Sequence, residues 1–98
     1  MSWHVTFRTR AKKEIKQLPK NVKILLDTLS LEIEKEGPYR KDWPSYGPLK
    51  KGSGIPDASY HCHLKNGRPT YVACWQIVDK DLKKIEVFYV GTHENAPY

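Results

Sequence analysis

His61-Cys62-His63 sets two histidines two residues apart. On a β-strand that spacing sends both imidazoles to one face while Cys62 turns to the other. A further histidine stands in Gly91-Thr92-His93-Glu94-Asn95-Ala96-Pro97-Tyr98, where an apolar run ends in a glycine and the chain finishes on a tyrosine. Histidine titrates near neutrality and can take or give a proton. A tyrosine ring offers a face on which a nucleic-acid base of any identity can stack. Lys50, Lys51, Lys65 and Arg68 flank the histidine pair in sequence, and Arg8, Arg10, Lys12 and Lys13 lie near the start. One chemistry uses all of these residue types. Attack of a ribose 2′-hydroxyl on the adjacent phosphorus needs a base for that hydroxyl, an acid for the departing 5′-oxygen, and cations for the charge that builds on phosphorus. The substrate brings its own nucleophile, so none is required of the protein.

Each of these features also has a plainer explanation. Two histidines on an open sheet face can be ordinary surface residues, a C-terminal tyrosine can merely cover the core, and lysines on helices are usually solvated. The competing chemical use of His61 and His63 is a metal site with His93 or His4 as a third ligand. No C-x-x-C or H-E-x-x-H spacing is present and no carboxylate adjoins the pair, so no metal is expected. Neither a phosphate-cradling glycine loop nor a G-x-S-x-G nucleophile elbow occurs.

Composition narrows the setting. The 98 residues carry 17 Lys and Arg against 11 Asp and Glu, a net charge of +6, which favours a polyanionic partner such as RNA, DNA or an acidic protein. That length forms one domain over residues 1–98 with a single core. No apolar run reaches the ~20 residues of a membrane helix, and Met1-Ser2-Trp3-His4 does not open like a signal peptide. The expected compartment is the cytoplasm, with Cys62 and Cys74 reduced.

The elements that must position these residues can be read from periodicity. Trp3 to Arg8 alternates as a strand, with Trp3, Val5 and Phe7 on one face. Thr9 is placed to cap a helix over Arg10–Leu18. Pro19 opens a second helix with a stripe of Val22, Leu25, Leu26, Leu29 and Ile33, and Gly37-Pro38 ends it. Tyr39–Asp57 reads as loop packed on the domain by Tyr39, Trp43 and Tyr46, with a short strand near Leu49. Ser59–Leu64, Thr70–Val78 and Ile85–Val90 read as strands joined by Asn66-Gly67 and by Asp79-Lys80-Asp81. The class is α+β: an N-terminal strand, a two-helix hairpin, then a mainly antiparallel sheet of three to four strands.

Three stretches together resemble the RelE-type toxins of the RelE/ParE toxin–antitoxin superfamily. They are LKKGSGIPDASY followed by HCHL, the closing CWQIVDKDLKKIEVFYVGTHENAPY, and the opening FRTRAKKEIKQLP. The resemblance covers nearly the whole chain. It implies a ribosome-dependent mRNA endoribonuclease that inhibits translation without metal or organic cofactor, and a cognate antitoxin that is acidic or amphipathic. By the same resemblance the family's paired strand cations fall on His61 and His63, and the residue after the final Val-Gly-x falls on His93. Tyr98 becomes the aromatic that closes the site. Members with Gly-Thr-His near the end, the YafQ-like ones, are nearest in this detail. Two positions depart from the pattern. Val72 stands where RelE carries an arginine, so that cation must come from Arg68, Lys65 or Lys51, and Tyr98 lies one residue farther from His93 than in the YafQ-like pattern.

The expected site is therefore His61 or His63 as base, His93 as proton donor, Arg68 with Lys65 for charge, Tyr98 for stacking, and Lys50, Lys51 and Lys65 on the RNA. Two other readings remain open. One is a ParE-like toxin that poisons DNA gyrase without cutting RNA. The other is a non-catalytic basic module that binds RNA or protein, in which the histidines have no role. Ile24 and Leu31, off the main helical stripe, are candidate antitoxin contacts.

Overall fold

The computed structural model describes Ser2–Tyr98. Strand β1 (His4–Phe7) leads into helices α1 (Thr9–Lys16) and α2 (Lys20–Glu36), followed by strands β2 (Gly47–Leu49), β3 (Ser59–Lys65), β4 (Tyr71–Asp79) and β5 (Lys84–Thr92) and a 3₁₀ turn, His93–Asn95. The sheet runs β1-β5-β4-β3-β2. Four strands pair antiparallel in sequence order, while β1 joins the far edge parallel to β5, His4 opposite Lys84 and Phe7 opposite Val87. This is the expected α+β architecture.

The helices form because their apolar residues recur along one stripe. Val22, Leu26, Leu29 and Ile33 are buried along α2 and join Cys62, Leu64, Ala73, Trp75, Ile85, Val87 and Val90 from the sheet in one core. Gly37 ends α2 with φ +98°, a left-handed conformation natural to glycine. An added Cβ there would also stand 3.0 Å from the Trp3 indole nitrogen. Helix α1 begins at Thr9 itself, one residue before the expected start. Arg8 holds the capping position with extended backbone and no side-chain capping bond, since a guanidinium has no acceptor to offer; it donates instead to Glu86 at 2.8 Å.

The segment after α2 packs as its aromatics suggested. Arg40 lies 3.3 Å from Glu32 and 3.4 Å from Glu36, and the Trp43 indole donates to Glu32 at 2.9 Å. Tyr46 stacks on Tyr60 and on Trp75, and the buried Trp75 indole donates to the Pro38 carbonyl at 3.1 Å. These contacts fix β2 at the sheet edge, next to β3.

The sheet's second face carries a smaller cluster of Val72, Cys74, Phe88 and Tyr89, with Leu49 and Ala96 packed against it. Cys62 belongs to the helix-side core and Cys74 to this other cluster. Both thiols are free, and burial pushes each up to about 12. No helix among the described residues is long and apolar enough to cross a membrane.

Candidate active site

The alternation of β3 decides what faces the open side. Cys62 and Leu64 go into the helix-side core, so His61 and His63 emerge on the opposite face, opposite Cys74 and Val72 of β4. Val72 is completely buried in the small cluster. An apolar residue thus lies under the site at the position where the resemblance implied an arginine.

His93 reaches the same face from the other end of the chain. Strand β5 runs to Thr92, and the His93 amide donates to the Thr70 carbonyl at 2.8 Å, which turns the chain back across the sheet. The His93 ring then lies 5.6 Å from that of His63. Tyr98 comes to rest 4.5 Å from the His61 ring and 5.6 Å from that of His93. Three imidazoles and a phenol from separate parts of the sequence therefore make one cluster.

His63 and His93 line an open cleft of about 630 Å³ together with Gly67, Arg68, Pro69, Thr70 and Glu94. Arg68 is exposed on the β3–β4 loop and makes no ion pair among the described residues. The lysines are less central. Lys65 ends β3 past a bulge, Lys51 lies 3.4 Å from Asp57, and Lys50, Lys51 and Lys65 are all exposed outside the cleft lining.

Hydrogen bonds set the tautomers. His61 Nδ1 lies 3.0 Å from the Gly47 carbonyl of β2. A carbonyl only accepts, so Nδ1 carries the proton and Nε2 holds the free lone pair of the neutral ring. His63 Nδ1 similarly donates to Asn66 Oδ1 at 2.6 Å. Burial, the largest influence, holds the His61 imidazole below the ordinary histidine value. The bond to Gly47 draws it back up, and His63 and His93 push it down again. His61 is therefore neutral at physiological pH. Burial raises the Tyr98 phenol, so it stays protonated.

Glycine at position 91 allows this face to close. An added Cβ would stand 2.8 Å from the Tyr89 hydroxyl oxygen, and that hydroxyl donates to the Thr92 carbonyl at 2.6 Å. Tyr89 thus pins the strand end from which His93 departs.

Some participants were invisible in sequence. The Gly47 carbonyl is backbone and leaves no side-chain signal. By type Asn66 is a turn residue, and its second role as partner of His63 follows only from where the turn folds. Thr70 and Glu94 enter the cleft through tertiary placement alone. No group of three or more His, Cys, Asp or Glu among the described residues is placed to hold a metal ion.

Neither a protein-family model nor a curated protein sequence matches the chain with significance. Solved structures do match it over nearly its full extent. A metal-bound toxin from Helicobacter pylori superposes with a TM-score of 0.68 at 26% identity, covering 96% of this chain and 97% of that one. The isolated Escherichia coli RelE toxin gives 0.67 at 22% identity, covering 98% and 89%. The archaeal RelE–RelB complex from Pyrococcus horikoshii gives 0.67 at 17% identity, covering 98% and 100%. The chain carries the fold of the RelE-type toxins, the family its sequence resembles.

Proposed function

We propose that this protein is the toxin of a toxin–antitoxin pair and cuts mRNA held on the ribosome. One observation carries the reading: His61, His63 and His93, remote in sequence, converge with Tyr98 on one face, beside a cleft lined by Arg68. His61 is the base. Its Nε2 lone pair is free because Nδ1–H is engaged on Gly47. It removes the 2′-hydroxyl proton, the 2′-oxygen bonds to phosphorus, and the P–O5′ bond breaks as His93 delivers a proton to the departing oxygen. The products are a 2′,3′-cyclic phosphate and a 5′-hydroxyl. His63, oriented by Asn66, stands beside His93 as the alternative base. Arg68 faces the charge growing on the non-bridging oxygens, and Tyr98 orients the nucleotide. Lys50, Lys51 and Lys65 sit outside the cleft, where they meet the flanking phosphates.

Expression in a bacterial host with primer extension on a reporter mRNA tests the reading. Cuts at fixed positions within codons, seen only on translated message, are expected. Intact message with altered plasmid supercoiling would instead support the gyrase-poisoning alternative, and intact message with normal supercoiling the non-catalytic module.

The lowered His61 pKa fixes a pH signature. A base must be unprotonated, and the neutral form of His61 persists below the ordinary histidine value of ~6.5. The acidic limb of the cleavage rate is expected to lie below that value. Single-turnover cleavage on stalled ribosomes across pH 5 to 8 checks this, and a limb above ~6.5 would remove His61 from the base role.

The antitoxin partner follows from the same reading, and the Pyrococcus horikoshii neighbour was solved as a RelE–RelB complex. Ile24 and Leu31 are 57% and 54% exposed and lie seven residues apart on α2, hence on one stripe. They are the proposed apolar contacts for that partner.

A further inference from the structure

The loop that leads into β4 is held unequally along its length. At its near end Asn66 Oδ1 accepts from His63 Nδ1 at 2.6 Å. At its far end Thr70 belongs to the frame of the sheet, since its carbonyl takes the His93 amide at 2.8 Å and Tyr71 pairs with Thr92 just beyond. Between these anchors stand Gly67, Arg68 and Pro69, and all three line the catalytic cleft with His63 and His93.

One side chain ties that span to the sheet. The Thr70 hydroxyl donates to the Gly67 carbonyl at 3.0 Å and accepts from the Gly67 amide at 3.2 Å, two roles that a hydroxyl can fill at once. Among the described residues no other hydrogen bond reaches Gly67, Arg68 or Pro69. Arg68 has no ion pair among them either, so its place follows from its backbone alone. Pro69 sets its own φ and narrows the choices of Arg68 before it. Neither restriction fixes where the loop stands relative to the sheet. The hydroxyl does, because it closes Gly67 onto Thr70 and leaves Arg68 in the turn between them.

Thr70 thus reaches two groups of the proposed reaction. Its carbonyl holds the amide of His93, the proton donor, and its hydroxyl holds the residue before Arg68, the cation. A charge-stabilising group is effective when it is already in place as the charge develops, and a misplacement of about 1 Å can cost roughly 100-fold.

We propose that Thr70 is a positioning residue whose hydroxyl holds Arg68 in register with His93. This rests on the ribonuclease reading above, but the tie itself can be measured without cutting. Thr70→Val removes the hydroxyl, keeps the β-branched shape and leaves the carbonyl for His93, whereas Thr70→Ser keeps the hydroxyl. In the free protein, hydrogen exchange at the Gly67 amide is expected to quicken about 3- to 10-fold in the valine variant, the effect of losing one such bond. The serine variant should exchange like the wild type. In single-turnover cleavage on stalled ribosomes, valine is expected to lower the rate roughly 10-fold and serine to restore it. In an Arg68→Ala background the valine change is expected to have no further effect, a result that a merely structural role would not produce.

Unchanged Gly67 exchange in Thr70→Val would overturn the proposal. So would full-rate cleavage by that variant, an equal loss in Thr70→Ser, or an undiminished loss on top of Arg68→Ala. Should valine lower the urea midpoint, Thr70→Ala takes its place under the same criteria. The nuclease reading fails by a different result. If the wild-type protein cuts no message while Gly67 exchange responds to the hydroxyl, the tie stands as a loop contact and the catalytic parts of Arg68 and Thr70 fall together.

Discussion

Replacing His93 by alanine is expected to lower mRNA cleavage about 10²- to 10⁴-fold, the usual contribution of a positioned proton donor, and to abolish growth arrest on induction. The ring stands 5.6 Å from both His63 and Tyr98, on the turn that follows β5. It is exposed, so its removal opens no cavity in either core cluster. Stability should therefore stay within about 0.5 kcal/mol of wild type, as for surface changes generally, and loss of activity cannot be blamed on unfolding. Paired measurements settle the matter: primer extension for cleavage and urea denaturation for stability. A folded variant as toxic as the wild type would exclude His93 from the chemistry, and a variant that fails to fold would assign it a structural duty instead.

Trp75→Ala is expected to cost about 3–5 kcal/mol, the range for truncating a buried aromatic. Total stabilities are only about 5–15 kcal/mol, so the variant should unfold well below wild type in a thermal or urea scan. Three effects combine. Trp75 is the largest fully buried side chain in the domain. Its indole nitrogen holds the Pro38 carbonyl where α2 ends. Its ring also stacks with Tyr46, the residue before the Gly47 carbonyl that sets the His61 tautomer. Any folded remainder should thus show a weakened His61 bond, detectable in the imidazole ¹⁵N shifts. A loss below about 1 kcal/mol would show that the neighbouring aromatics collapse into the space.

The sequence showed the frame of this site better than its fine structure. Alternation in Ser59–Leu64 placed His61 and His63 on the face opposite Cys62, since a period of two leaves no other choice once Cys62 and Leu64 are buried. The α2 stripe and the Gly37-Pro38 stop were equally legible, because burial and backbone sterics act locally there. The place of β1 was not legible. Its parallel pairing with β5 joins residues about eighty positions apart, and nothing in a four-residue strand names its partner. Thr9 is a good capping residue by type, yet the helix starts on it, with Arg8 in the extended capping conformation. The His93–His63 approach depends on the Thr70 carbonyl catching the chain after β5, a tertiary bond with no sequence signature.

The β1–β5 pairing has a consequence for biosynthesis. The first strand of this protein finds its partner at Lys84–Val87, and the loop that must close between them spans about eighty residues, which slows assembly. Until Lys84–Val87 have left the ribosome, β1 has no strand to pair with.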